Sequence, residues 1–265
     1  MIYFNGERIE VKKFQNGEAL IPSDQLNIKS DQNEIKVHFE NDEDLMHLIF
    51  LKGHLDDLNI KCNLIIPYLP YSRMDRTEGI TVFTLKHLCK LINALKFESV
   101  TIYEPHSEVS TALLDRVKVV DMSQALAEKL LKELNNGEED VCLVYPDAGA
   151  AKRYDKKISC GNILIANKER DFKTGHIKKL QMLGDMEGKS FKAIIVDDLC
   201  SKGGTFKLTA SKLKEMGATE IYLVVTHCEN TIFQGDLLGD DLIKEIHTTN
   251  SILSKEHEKI KVYKI

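Results

Sequence analysis

The 265-residue sequence lacks the features that mark several protein classes. Basic charge is not in excess: 36 lysines and arginines stand against 41 acids, a net charge of −5. The basic footprint of a chain that tracks nucleic acid is missing, and any anionic ligand must be held locally. The longest apolar stretches, such as Asn63 to Pro67 and Ala193 to Val196, fall far short of the roughly 20 residues that cross a bilayer. Met1 to Glu7 contains no basic region followed by an apolar run, so secretion is not expected. Six cysteines, at 62, 89, 142, 160, 200 and 228, include no C-x-x-C pair. They are expected to be free thiols in a reducing cytoplasm, with Cys62, Cys142 and Cys200 serving as small buried hydrophobes. The nine histidines form no H-E-x-x-H and no cluster at zinc spacing.

What is present is a recurrent alternation. Short Val- and Ile-rich runs at 63–67, 99–103, 141–145, 162–166, 193–196 and 220–225 alternate with stretches of helical period. The runs lack strict alternation, which suits strands covered on both faces. Thr84 to Leu95 and Ala125 to Leu134 keep a 3.6-residue period. Strand, helix, strand repetition predicts an α/β fold with parallel sheets and right-handed crossovers. One set of runs precedes about residue 122 and a second follows it, so the expected domains are residues 1–122 and 123–265. With 43% hydrophobic residues each half can build a core.

Charged residues concentrate where these runs end, and ligands of open parallel sheets bind at the carboxyl ends of strands. The most specific segment is Ile194-Ile195-Val196-Asp197-Asp198-Leu199-Cys200-Ser201-Lys202-Gly203-Gly204-Thr205. It reads as a strand, an acidic pair, a glycine turn and a helix start, with a stop at Gly217. Two glycines let backbone approach a phosphate, Thr205 offers a hydroxyl, and a helix N-terminus presents free N–H groups. The acids then sit where sugar hydroxyls or Mg²⁺ would lie.

This segment resembles the ribose 5-phosphate signature of type I phosphoribosyltransferase folds, and other motifs narrow the likeness to the ribose-phosphate pyrophosphokinase family. Ile66-Pro67-Tyr68-Leu69-Pro70-Tyr71-Ser72-Arg73-Met74-Asp75-Arg76 is similar to the family's ATP-contacting P-Y-x-x-Y-x-R-Q-D-R. Glu104-Pro105-His106-Ser107 resembles D-L-H-x, and Tyr145 to Arg153 resembles S-P-D-x-G-G-x-x-R. Lys168-Glu169-Arg170 falls at the K-x-R of the catalytic flexible loop, and Phe14-Gln15-Asn16-Gly17-Glu18 at F-x-D-G-E.

The resemblance implies two type I phosphoribosyltransferase-like domains and an Mg²⁺- and ATP-dependent diphosphokinase that releases AMP. Lys168 and Arg170 would then act on transition-state charge, closing over the phosphates as part of a mobile Lys168 to Lys179 run. ATP would be held by Phe14, Asn16 and Glu18 of a neighbouring subunit and by Arg73, Asp75, Arg76 and His106, which implies at least a homodimer. His106 and Asp147 would share Mg²⁺. Asp197 and Asp198 would meet ribose hydroxyls, and Ser201, Lys202, Gly203, Gly204 and Thr205 the 5-phosphate. Taken without the family, Lys168 and Arg170 read equally as an exposed basic loop, and the Arg73, Asp75 and Arg76 triplet as a surface ion-pair cluster.

The departures point in one direction. Ser201 and Lys202 replace a carboxylate and a threonine of the family's D-D-x-x-D-T-G-G-T, making the phosphate pocket less anionic by about two charges. That suits a longer anion, so the expected acceptor is ribose 5-phosphate or a 5′-substituted form such as ADP-ribose. Met74, Asn16 and Ala150 replace a glutamine, an aspartate and a glycine. The chain is expected to lack the family's first strand-helix region and its last helix, so hexamer contacts and allosteric control are not carried over. Two rival readings are a phosphoribosyltransferase that consumes phosphoribosyl pyrophosphate and a non-catalytic regulatory paralogue. The first needs no second α/β domain or Pro67 to Arg76 segment; the second could lose the metal histidine or the K-x-R pair.

Overall fold

A computed structural model describes all residues except 78, 136–138, 171–176 and 187; the side chains of 168–170 and 177–179 are also outside the description. The chain divides into two compact units, Met1–Val120 and Asp121–Ile265. Both are α/β.

The N-terminal unit holds β1 (Ile2–Phe4), β2 (Glu7–Arg8), β3 (Lys12–Lys13), β4 (Ala19–Leu20), β5 (Asn33–Val37), α1 (Glu43–Asp57) and β6 (Cys62–Ile66). It continues through α2 (Thr84–Ala94), β7 (Val100–Tyr103), α3 (Glu108–Leu113) and β8 (Val117–Val120). Its six-stranded sheet has the order β2-β1-β5-β6-β7-β8. β5 to β8 are parallel, and β1 pairs antiparallel with β2 and β5. The parallel sheet therefore begins at β5 with α1 following it, ahead of the first run read from the sequence. β5 escaped notice because Asn33-Glu34-Ile35-Lys36-Val37 alternates, with Ile35 and Val37 buried and Glu34 and Lys36 half-buried. One core joins the sheet to α1 and α2 through Leu48, Leu51, Leu55, Leu64, Leu85 and Ile92.

The C-terminal unit holds α4 (Met122–Leu134), β9 (Asp140–Tyr145), α5 (Ala148–Tyr154), β10 (Asn162–Arg170), β11 (Ile177–Leu183) and β12 (Phe191–Cys200). α6 (Gly204–Glu215), β13 (Ala218–Cys228), β14 (Glu245–Thr249) and β15 (Ile260–Tyr263) complete it. The sheet order is β11-β10-β9-β12-β13-β14-β15, parallel except for the antiparallel pair β10 and β11. One face packs Ala193, Ile195 and Leu223 against Phe206, Ala210 and Leu213 of α6. The other packs Ile194, Val196 and Val224 against Leu126 and Leu130 of α4 and Ala150, Ala151 and Tyr154 of α5. Burial on both faces explains the unbroken apolar runs.

Of the Lys168 to Lys179 run, residues 171–176 lie outside the described residues, and the basic pair falls within a strand where a position after the strand was expected. Lys168 and Arg170 lie inside β10, with Lys168 opposite Leu180 and Arg170 opposite Ile177 on β11. The apolar residues of β11 are interrupted by Lys178, Lys179 and Gln181, so no continuous apolar run marks it as a strand. Among the described residues no helix is long and apolar enough to cross a membrane. All six cysteines are free, and Cys62, Cys89, Cys142, Cys200 and Cys228 are buried.

Candidate functional site

The strand order of the C-terminal unit reverses between β9 and β12: the chain leaves β9 toward β10 on one side and returns to β12 on the other. A crevice forms at the carboxyl ends of such a strand pair. Here it is a cleft of about 370 Å³ lined by Asp147, Asp197, Leu199, Ser201, Lys202, Gly203, Gly204, Thr205 and Phe206. The residues expected to bind ribose phosphate are thus brought together, with one exception. Asp198 does not line this wall; it is only 5% exposed and ion-pairs with Arg153 at 2.7 Å.

The loop is shaped by backbone that only glycine fits. Gly203 has φ +82°, and a Cβ there would meet Leu237 at 2.6 Å. From the segment after β13, Gly235 lies so close that a Cβ would sit 2.0 Å from the Lys202 carbonyl oxygen. Ser201 Oγ lies 3.0 Å from Thr231 Oγ1, and the Thr231 hydroxyl donates to Glu229 Oε2 at 2.8 Å. α6 then starts at Gly204, leaving its first N–H groups toward the cleft without a side-chain cap. Thr231, Gly235 and Leu237 were not singled out from the sequence, because nothing local ties them to a loop some thirty residues earlier.

Electrostatically the cleft is split. Burial, the neighbouring Asp198 and then Asp147 push the Asp197 carboxyl well above the usual carboxylate range. The Ser123 hydroxyl at the start of α4 donates to the Asp197 carbonyl at 2.9 Å, fixing the strand end. Asp147 caps α5 by accepting from the Ala150 N–H at 3.0 Å. No group of three or more His, Cys, Asp and Glu side chains is arranged to hold a metal among the described residues. The donor chemistry nevertheless fits Mg²⁺, which takes one or two carboxylates and completes its shell with water and phosphate oxygens. Asp147 and Asp197 face one cleft and repel one another, and a divalent cation relieves that repulsion. Cysteine chemistry does not fit: burial pushes the thiols of Cys62 and Cys89 up to about 11 and that of Cys142 to about 12.

In the N-terminal unit the expected residues sit on loops. β3 and β4 form a hairpin whose turn is closed by Phe14 N–H to the Glu18 carbonyl at 2.9 Å, with Gly17 at φ +91° and Phe14 55% exposed. Asn16 Oδ1 accepts from the Glu18 N–H at 3.2 Å. After β6, Tyr71 adopts φ +61° and its hydroxyl donates to Asp42, which bends the chain ahead of Arg73. Asp75 is largely covered and lies 3.7 Å from Arg76 Nε, while Arg76 is 74% exposed. His106 stands half-buried just before α3, in a different unit from Asp147. The side chains of Lys168 and Arg170 lie outside the described residues.

Residues 167–265 match the family model described as the phosphoribosyl synthetase-associated domain. The chain is 30% identical over 253 residues to a ribose-phosphate pyrophosphokinase of Sulfolobus acidocaldarius, covering 92% of this chain and 84% of that protein. It is 29% identical over 266 residues to the one from Fusobacterium nucleatum, covering 97% and 82%. The fold is similar to that of a phosphoribosylpyrophosphate synthetase crystal structure from Mycobacterium smegmatis, with a TM-score of 0.76, 18% identity, and coverage of 97% of this chain and 86% of that one. Identity at this level, held over more than four-fifths of a relative, places the chain in the ribose-phosphate pyrophosphokinase family of diphosphate-transferring enzymes.

Proposed function

We propose that the protein transfers the β,γ-diphosphate of ATP to the anomeric hydroxyl of a ribose 5-phosphate unit, releasing AMP. The observation that carries this reading is the cleft at the β9 and β12 strand ends, where a glycine loop and a helix N-terminus adjoin a carboxylate. A phosphate fits the loop, and Asp197 meets hydroxyls of the attached sugar. In the reaction the anomeric oxygen attacks the β-phosphorus, loses its proton, and AMP departs with the bond electrons. The protein's task is to position both substrates and to spread charge over the non-bridging oxygens. Lys168 and Arg170 are assigned to that charge. Arg73, Asp75, Arg76 and His106 are assigned to ATP, with His106 and Asp147 as protein ligands of Mg²⁺, which supplies charge neutralisation to the phosphates.

Phe14, Asn16 and Glu18 project on an exposed hairpin, which supports a role in completing the adenine pocket of a second copy. The active species is therefore at least a dimer, and sedimentation finding a fully active monomer would overturn that. The acceptor is ribose 5-phosphate or a 5′-substituted form such as ADP-ribose. Supporting the longer anion, position 201 carries a hydroxyl held by Thr231 in place of a carboxylate, beside the exposed Lys202. The test is AMP formation from ATP and Mg²⁺ with each acceptor in turn. AMP appearing only with a sugar phosphate supports the reading and names the acceptor; no AMP with any of them removes it.

A further inference from the structure

The two adjacent acids at the end of β12 touch one another but differ in what they meet. Asp197 lines the cleft with Gly203 to Phe206. Asp198 turns into the protein, where its Oδ1 lies 2.7 Å from Arg153 Nη1; the same guanidinium is 3.9 Å from Asp197 Oδ1. Arg153 is mostly covered and sits over the Tyr154 ring at 5.7 Å, which stacks on Tyr145 at 6.4 Å. Burial works against its charge, and Asp198 and Tyr154 together outweigh burial.

Arg153 belongs to the last turn of α5, and the N-cap of that helix is Asp147, a wall of the same cleft. A helix of two turns thus carries a cleft carboxylate at one end and is pinned to β12 at the other. A buried ion pair adds little net stability over apolar residues of the same volume, yet it fixes the geometry of the elements it joins.

We infer that Arg153 and Asp198 are a positioning pair that registers α5 on β12 and so sets Asp147 against Asp197, and that Asp197 alone of the acidic pair meets the sugar. The inference rests on the diphosphokinase reading for its ligand. It does not depend on turnover.

The test compares Asp197→Asn, Asp198→Asn, Arg153→Gln, Arg153→Lys and the double variant Arg153→Gln with Asp198→Asn. Calorimetry without ATP gives the affinity for ribose 5-phosphate and for 2-deoxyribose 5-phosphate, and amide exchange gives the opening of α5. Asp198→Asn and Arg153→Gln are each expected to weaken ribose 5-phosphate by about tenfold, with the double variant no worse than either, as for two members of one interaction. Both keep the preference for ribose over deoxyribose, and both speed exchange at the α5 amides, which Asp197→Asn leaves slow. Arg153→Lys keeps the charge and restores most of the affinity, and it stands in should Arg153→Gln not fold. Loss of the ribose preference in Asp198→Asn with its retention in Arg153→Gln would put Asp198 on the sugar and overturn the inference. If the parent binds ribose 5-phosphate and shows these couplings but never releases AMP, the pair stands and the diphosphokinase reading falls.

Discussion

The two units have similar parts but present their chemistry differently. In the N-terminal unit β5, β6, β7 and β8 follow one another in sheet order, so no reversal opens a crevice among them. Its candidate residues lie on a hairpin turn and on loops after strands, several of them exposed. The C-terminal unit reverses between β9 and β12 and builds a walled cleft there. A sheet's strand order therefore decides whether a crevice opens at its own strand ends.

The sharpest way to break this comparison is through the cations. Lys168→Ala and Arg170→Ala are each expected to lower kcat by about a hundredfold or more while ATP still binds, because the proposed role of both is on charge that develops in the transition state. Stopped or steady-state AMP release with a separate nucleotide-binding measurement checks it, and unchanged turnover removes the residue from the mechanism.

Next in size is a pair of glycines, one from each unit. Gly235→Ala drives a Cβ into the Lys202 carbonyl, so the loop before α6 must move, at a cost of about 1–3 kcal/mol. Gly53, inside α1, has open space around its Cβ position, so Gly53→Ala is expected to stabilise by up to about 1 kcal/mol. Denaturant melts of both variants decide, and equal shifts would mean that the C-terminal loop is no tighter than an exposed helix.

Acceptor choice tests the cleft alone. Ser201→Asp together with Lys202→Thr places a carboxylate beside Thr231 and Glu229 and removes a cation. The ratio of kcat/KM for ADP-ribose over ribose 5-phosphate should fall by about tenfold, which is about 1.4 kcal/mol. An unchanged ratio would leave these two positions without a part in acceptor choice.

The smallest effect expected is with pH. Burial lowers the His47 pKa in the N-terminal unit and the His247 pKa in the C-terminal unit below 6.5. A histidine favoured as neutral in the fold takes up a proton more readily when unfolded. Stability is therefore full above pH 6.5 and declines as pH falls below it. His247 is 1% exposed and His47 is 9% exposed, so His247→Gln should flatten the acid limb of a melting curve more than His47→Gln. The reverse order would show that neighbouring charges outweigh burial.

Legibility followed burial. The strands within 141–145 and 193–196 declared themselves because both their faces are covered, those within 63–67 and 99–103 because Ile65, Thr101 and Tyr103 keep strand-forming residues at the half-buried positions too, and α2, α4 and α6 because one stripe is apolar. Gly217, with φ +106°, ends α6 where the sequence stop signal stood. β5 and β11 were silent, since one alternates with charged residues and the other is an edge strand whose apolar residues are interrupted by lysines and a glutamine. The glycine loop was legible as a continuous segment, but Thr231 and Gly235 reach it from elsewhere, as Arg153 reaches the acidic pair before it.

The sequence by itself determined the α/β class, the glycine turn and helix start that follow Asp197 and Asp198, and the family, because these depend on local composition and contiguous spacing. Only the tertiary structure decided which strands are neighbours, and with that where a cleft opens. It also decided that Asp197 faces the cleft while Asp198 turns to Arg153. The physical reason is that the groups covering a strand end, here Arg153 of α5 and the glycine loop before α6, come from helices that the strand's own residues do not specify.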